Sequence, residues 1–127
     1  MKNCIVYARS SKKEDDIVKQ IELAKSFADV CSYNVAMVLA DTNVSSVAYL
    51  DTADARTKAK SDKNASKQYR RGLGALFNMI ADTADSSEKI EAVFVDRRTR
   101  LFFENKSNSA EYIKKYFRKY NVAVITR

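Results

Sequence analysis

Four short segments, Asn3 to Ala8, Asn34 to Ala40, Ile90 to Val95 and Asn121 to Thr126, are nearly continuous runs of apolar and β-branched residues. Runs of that length without polar alternation mark strands buried on both faces, as in parallel sheets. Between the first two, Ile17, Ile21, Ala24, Ala28 and Cys31 fall at spacings of four, three, four and three, one stripe of an amphipathic helix. Tyr69, Leu73, Leu76, Phe77 and Ile80 form a second stripe, and Ala110, Ile113, Tyr116, Phe117 and Tyr120 a third. Strand and helix therefore alternate three times. This pattern predicts an α/β fold in three layers: a central, mostly parallel sheet of about four strands, right-handed crossovers, and helices on both faces.

The boundaries carry their own signals. Asn121 stands after the third stripe, where a left-handed residue commonly ends a helix. Ser11-x-x-Glu14, just ahead of the first stripe, has the spacing of a capping box. The stretch from Thr42 to Lys67 is polar, weakly periodic and longer than most connections, and predicts a mobile loop with one short helix around Thr52 to Lys60. The chain stops one residue after the fourth strand, abruptly for a complete fold, and a truncated piece is expected.

Composition narrows the chemistry. A chain of 127 residues suffices for one domain with a hydrophobic core. It contains no histidine, which removes Ser-His-Asp relays, Cys-His pairs and histidine zinc sites from within the chain. Cys4 and Cys31 lack C-x-x-C spacing and are expected as small buried or half-buried hydrophobes in a reducing compartment. With no proline and only Gly72 and Gly74, a phosphate-cradling glycine loop is missing, so nucleotide-cofactor enzymes are disfavoured and neither cofactor nor metal is expected. The Cys4 to Ala8 run is broken at once by Arg9, too early for a signal-peptide core or a membrane span, which predicts a soluble, cytoplasmic protein. The net charge of +7 favours acidic partners such as nucleic acid.

Two strand ends concentrate the candidate chemistry. Tyr7-Ala8-Arg9-Ser10-Ser11 closes the first strand and Asp96-Arg97-Arg98-Thr99-Arg100 the third. The carboxyl ends of strands are where open α/β sheets bind ligands. A hydroxyl beside a guanidinium there offers a nucleophile and a charge-assisted phosphate contact, although a helix cap and a solvated charge explain the same residues. Arg97 and Arg100 can share a ligand if their segment turns helical, with Asp96 orienting a guanidinium or handling a proton. Arg70 and Arg71 precede Gly72 near a helix N-terminus, a position unfavourable for a cation unless an anion is bound. An alcohol attacking a phosphodiester builds negative charge that several arginines can stabilise without a metal.

Taken together, Tyr7-Ala8-Arg9-Ser10-Ser11, Gln20, Asp41, Arg70-Arg71-Gly72-Leu73 and Val95-Asp96-Arg97-x-x-Arg100 resemble, in order and approximate spacing, the catalytic domain of the serine recombinases, the resolvases and invertases. The resemblance implies a resolvase-like fold over residues 1 to 127. It implies that Ser11 is the nucleophile, that Arg9, Arg70, Arg97 and Arg100 bind the scissile phosphate, and that Asp96 and Gln20 orient them. The activity it implies is site-specific DNA recombination through a 5′-phosphoserine intermediate, with double-stranded DNA as partner and a dimer, then a tetramer, as the working assembly. The family's dimerising helix and DNA-binding domain would follow residue 127, so this fragment alone is expected to be inactive.

The chain departs from the family pattern at several places. Ser10 replaces a valine, Val44-Ser45-Ser46 replaces a Ser-Gly, Arg98-Thr99 replaces a Leu-Gly, and Asn121 replaces a glycine. Two other readings stand beside the recombinase. One is a non-catalytic binding module on the same fold, which the altered loop positions would fit. The other is a receiver-type signalling domain built on Asp41 and Asp96, against which Arg9 weighs, because a cation disfavours magnesium in such a pocket.

Overall fold

The structure, a computed structural model, describes residues 1–10, 16–42, 49–50, 69–102 and 108–126. The described residues hold six strands, β1 Lys2–Arg9, β2 Tyr33–Asp41, β3 Tyr49–Leu50, β4 Tyr69–Arg70, β5 Ile90–Phe94 and β6 Ala123–Ile125. The helices among them are α1 Ile17–Val30, α2 Arg71–Thr83 and α3 Asn108–Lys119, with a short 3-10 turn at Arg98–Arg100. β2, β1, β5 and β6 lie side by side in that order, every pair parallel. β3 and β4 form a separate parallel pair of two residues each.

The expected three layers are present, and β1 shows why. Alternate residues of a strand point to opposite faces, and both faces of β1 are covered. Cys4 and Val6 pack with Ala92 and Phe94 of β5 against Ala24 and Ala28 of α1. Ile5 and Tyr7 pack on the other side with Val93, against Leu73, Leu76 and Ile80 of α2 and Ile113 and Phe117 of α3. Burial on both sides explains the unbroken apolar run in the sequence.

The outer strands depart from the expectation of two-sided burial. β2 is an edge strand, and Met37 and Val38 are each 38% exposed. β6, at the other edge, is at most half-buried. Their apolar composition matches a strand, but an edge position leaves part of each one in contact with solvent among the described residues.

Three local expectations change as well. Helix α1 is capped by Asp16, whose carboxylate accepts from the Lys19 amide at 3.0 Å, so the cap sits beyond the Ser11-x-x-Glu14 box. Cys31 occupies the C-terminal cap of α1 and is exposed, because the stripe ends with the helix, whereas Cys4 is buried. Tyr69 belongs to β4 and not to the second helix. The predicted loop from Thr42 to Lys67 contains β3, while the short helix predicted around Thr52 to Lys60 lies outside the described residues. Asn121 adopts φ 54°, the left-handed conformation expected of it. No helix among the described residues is long and apolar enough to cross a membrane.

Candidate functional site

The carboxyl ends of β1 and β5 are neighbours in the sheet, so the two arginine-rich segments that close them meet. Arg9 ends β1. Its main chain is clamped by Gln20 of α1, which accepts from the Arg9 amide at 3.1 Å and donates to its carbonyl at 3.2 Å. That reciprocal pair fixes the direction in which the Arg9 side chain leaves the sheet. The guanidinium then donates from Nε to the Arg100 carbonyl at 3.0 Å and from Nη2 to the Thr99 carbonyl at 2.9 Å.

Arg70 reaches the same turn from another direction. It is fully buried, the largest side chain to be so among the described residues. Nη1 donates to the Leu101 carbonyl at 2.5 Å, and Nη2 to the Arg100 carbonyl at 2.7 Å and the Tyr7 hydroxyl at 3.0 Å. The Arg100 carbonyl thus accepts from two guanidinium groups. A buried guanidinium costs several kcal/mol unless its donors are matched by acceptors. Here main-chain carbonyls supply most of them, and the Tyr7 ring lies 5.7 Å from the Arg70 Cζ.

Tyr7 links this cation to an acid. Its hydroxyl donates to Asp41 Oδ2 at 2.6 Å while accepting from Arg70. Burial pushes the Tyr7 phenol far above its ordinary value, with Asp41 raising it further and Arg70 opposing, so it stays a proton donor near neutrality. Asp41, at the end of β2, also accepts from the amides of Gly72 at 2.6 Å and Leu73 at 3.0 Å. These are orphan donors of the first turn of α2. The anion expected beside Arg70 and Arg71 is therefore part of the chain itself: the Asp41 carboxylate occupies the α2 N-terminus. Gly72 permits this approach, since a Cβ there would stand 2.6 Å from the Ala40 carbonyl oxygen.

The remaining residues divide between this cluster and the surface. Asp96 holds Arg100 through two hydrogen bonds, Nε to Oδ1 at 2.8 Å and Nη2 to Oδ2 at 3.2 Å. Both are mostly buried. Arg97 precedes the 3-10 turn in an extended conformation and is exposed, as is Arg71. Ser10 is 1% exposed, and its amide donates to the Asp41 carbonyl at 2.9 Å. Ser11 lies outside the described residues. Arg9, Gln20, Arg70, Asp96 and Arg100 are thus brought together around one turn, and Arg97 stands at its outer edge.

Sequence reasoning singled out Tyr7 and Asp41 without seeing what they do. Their pairing bridges 34 residues and leaves no local signature. Asp41 and Asp96, on which the receiver-type alternative rests, are engaged by a helix end and by Arg100 respectively, not gathered as a magnesium-binding acid cluster.

Neither a protein-family model nor a curated protein matches the chain. Solved structures do. The C-terminal catalytic domain of ISC1926 TnpA, an IS607-like serine recombinase, superposes with a TM-score of 0.67 at 23% identity, over 98% of this chain and 68% of that one. The N-terminal catalytic domain of TP901-1 integrase gives a TM-score of 0.67 at 20% identity, over 98% and 76%. The first open reading frame of transposon ISC1904 from Sulfolobus solfataricus P2 gives 0.60 at 18%, over 99% and 66%. The chain folds as the serine recombinase catalytic domains do, with the residues of its two arginine-rich strand ends gathered at the carboxyl edge of the sheet.

Proposed function

We propose that this chain is the catalytic domain of a serine recombinase, which attacks a DNA phosphodiester through Ser11. The observation that carries the reading is the convergence of three distant segments, around Arg9, Arg70 and Asp96 to Arg100, on one turn. Such a cluster has the composition needed to stabilise a phosphoryl transition state without a metal.

In the reaction, the Ser11 hydroxyl oxygen bonds to phosphorus as the bond to the deoxyribose 3′ oxygen breaks. A 5′-phosphoserine ester forms, and a free 3′ hydroxyl leaves with the proton it gains. Strand exchange and the reverse attack religate the DNA, in a dimer that pairs into a tetramer. The resemblance to the family motif assigns the nucleophile to Ser11 and not to Ser10, which is buried with its amide on the Asp41 carbonyl. Arg9 and Arg70 engage the phosphate by exchanging main-chain carbonyl acceptors for phosphate oxygens, which requires the Thr99 to Leu101 turn to move aside. Asp96 positions Arg100, and Gln20 positions Arg9 through its main chain.

The test is a covalent adduct with DNA, read on a denaturing gel with the full-length protein. The adduct is expected with the native sequence and with Ser10→Ala, and absent with Ser11→Ala. An adduct that survives Ser11→Ala overturns the assignment of the nucleophile.

A further inference from the structure

Arg70 and Arg71 are consecutive, yet their side chains go opposite ways. Arg70 turns inward and gives hydrogen bonds to the Tyr7 hydroxyl and to the Arg100 and Leu101 carbonyls. Arg71 is exposed, and among the described residues its side chain makes no hydrogen bond, ion pair or ring contact. It is the first residue of α2, where the positive end of the helix dipole disfavours a cation, and no acidic residue in that first turn offsets it. The Asp41 carboxylate caps the amides of Gly72 and Leu73 without pairing with Arg71, so the helix end is satisfied while the guanidinium is not. For the helix alone, an uncharged helix former such as glutamine would serve better here. The main chain of Arg71 is nevertheless fixed, because the cap holds the next two residues and Gly72 lies against the Ala40 carbonyl. Only the side chain remains to be ordered by a ligand.

We infer that Arg71 binds a phosphate of the DNA backbone next to the one under attack. The inference rests on the recombinase reading for its ligand. Location argues for it: the preceding residue, Arg70, reaches the turn on which Arg9, Asp96 and Arg100 also converge, so Arg71 stands at the margin of the candidate site. Spacing argues for a neighbouring phosphate. Consecutive Cα atoms lie about 3.8 Å apart, close to the roughly 3.4 Å that separates charges along one DNA strand, so adjacent arginines match adjacent phosphates. Charge argues for an anion as the occupant, because a phosphate offers paired acceptors to a guanidinium and is itself favoured beside the start of a helix. Bound there, it reverses the penalty that Arg71 imposes on α2.

The experiment is binding of a fluorescein-labelled duplex oligonucleotide of mixed sequence, followed by anisotropy from low to moderate salt. Each phosphate contact adds about 0.9 to the slope of log affinity against log salt. Arg71→Gln is expected to lower that slope by about 1 and to weaken binding roughly three- to tenfold at 0.1 M salt. Arg71→Lys keeps the charge and is expected to keep the slope. Lys119→Gln, which removes an exposed cation from the last turn of α3, is expected to keep it as well. An unchanged slope in Arg71→Gln overturns the inference. So does an equal loss in Lys119→Gln, or no salt-dependent binding by the native chain. Thermal unfolding tests for a merely structural role: Arg71→Gln is expected to melt no lower than the native chain, since it takes a cation from the positive end of α2. Lost binding together with a lowered midpoint assigns Arg71 to the fold and overturns the inference. In the full-length protein, Arg71→Gln is expected to raise the DNA concentration for half-maximal adduct formation by the same factor as it weakens binding. A loss confined to the maximal rate places Arg71 on the scissile phosphate and overturns the assignment to its neighbour. The two proposals fail separately: a lowered slope without any covalent adduct removes the recombinase reading and keeps Arg71 as a phosphate contact, whereas an adduct with an unchanged slope removes the role of Arg71 alone.

Discussion

The turn from Arg97 to Leu101 separates two kinds of positive charge. On its inner side, Arg9 and Arg70 are buried and spend their donors on main-chain carbonyls, with Asp41 one phenol away from Arg70. On its outer side, Arg98, Lys114 and Arg118 line an open cleft on an aromatic base. Identical chemistry thus serves two ends. A buried guanidinium is part of the architecture, and removing it strands the acceptors it served. An exposed one contributes little to folding.

The sharpest way to break this contrast is Arg70→Ala. It removes the Arg70 donor from the Leu101 carbonyl and the Tyr7 hydroxyl, takes one of two from the Arg100 carbonyl and opens a cavity, and a loss of about 3 to 5 kcal/mol is expected in urea unfolding. A loss below about 1 kcal/mol would mean that Arg70 is not architectural. Next come the contacts that seat α2. Gly72→Ala forces a Cβ against the Ala40 carbonyl, and Asp41→Ala strips the helix cap and a partner of Tyr7; each is expected to cost about 2 kcal/mol in the same measurement.

Alkaline pH probes the buried side without mutation. Burial raises the Cys4 thiol from 9.0 to about 11, so the folded state holds this proton more tightly than the unfolded one. The stabilisation is complete below pH 9 and is lost as the pH rises towards 11, by about 1 to 2 kcal/mol. Cys4→Ala should flatten that part of the profile. The same burial makes Cys4 slow towards thiol reagents at pH 8, while the exposed Cys31 reacts at once, giving one fast equivalent per chain. The smallest effect belongs to the outer side: Arg98→Gln should change stability by no more than about 0.5 kcal/mol. A larger loss would show that the cleft residues also support the fold.

Much of this arrangement was legible in the sequence. β1 and β5 are buried on both faces, and their continuous apolar runs announced it; the stripes of α1 and α3 are the faces they bury. The two strand ends were legible too, because arginines crowd where apolar runs stop. What could not be read were relations across the fold. Nothing near Asp41 says that its carboxylate caps a helix beginning 30 residues later, and an apolar run does not say whether its strand is central, like β1, or at an edge, like β2. Nor did the arginine pattern reveal which members face carbonyls and which face solvent. That depends on the turn between Arg97 and Leu101, whose shape is set by partners up to 91 residues away.

The Asp41 clasp on Gly72 and Leu73 has a consequence for how this chain tolerates change. The polypeptide leaves the four-stranded sheet at Asp41 and enters α2 from Arg70 of β4, and the two points are pinned to each other by the helix cap and through Tyr7. One carboxylate thus sets both where β2 ends and where α2 begins. Any change that displaces Asp41 should therefore disturb the strand end and the helix start together. The clasp makes β2 and α2 a single mechanical unit, so the position of Arg70 beside Tyr7 is inherited from the sheet.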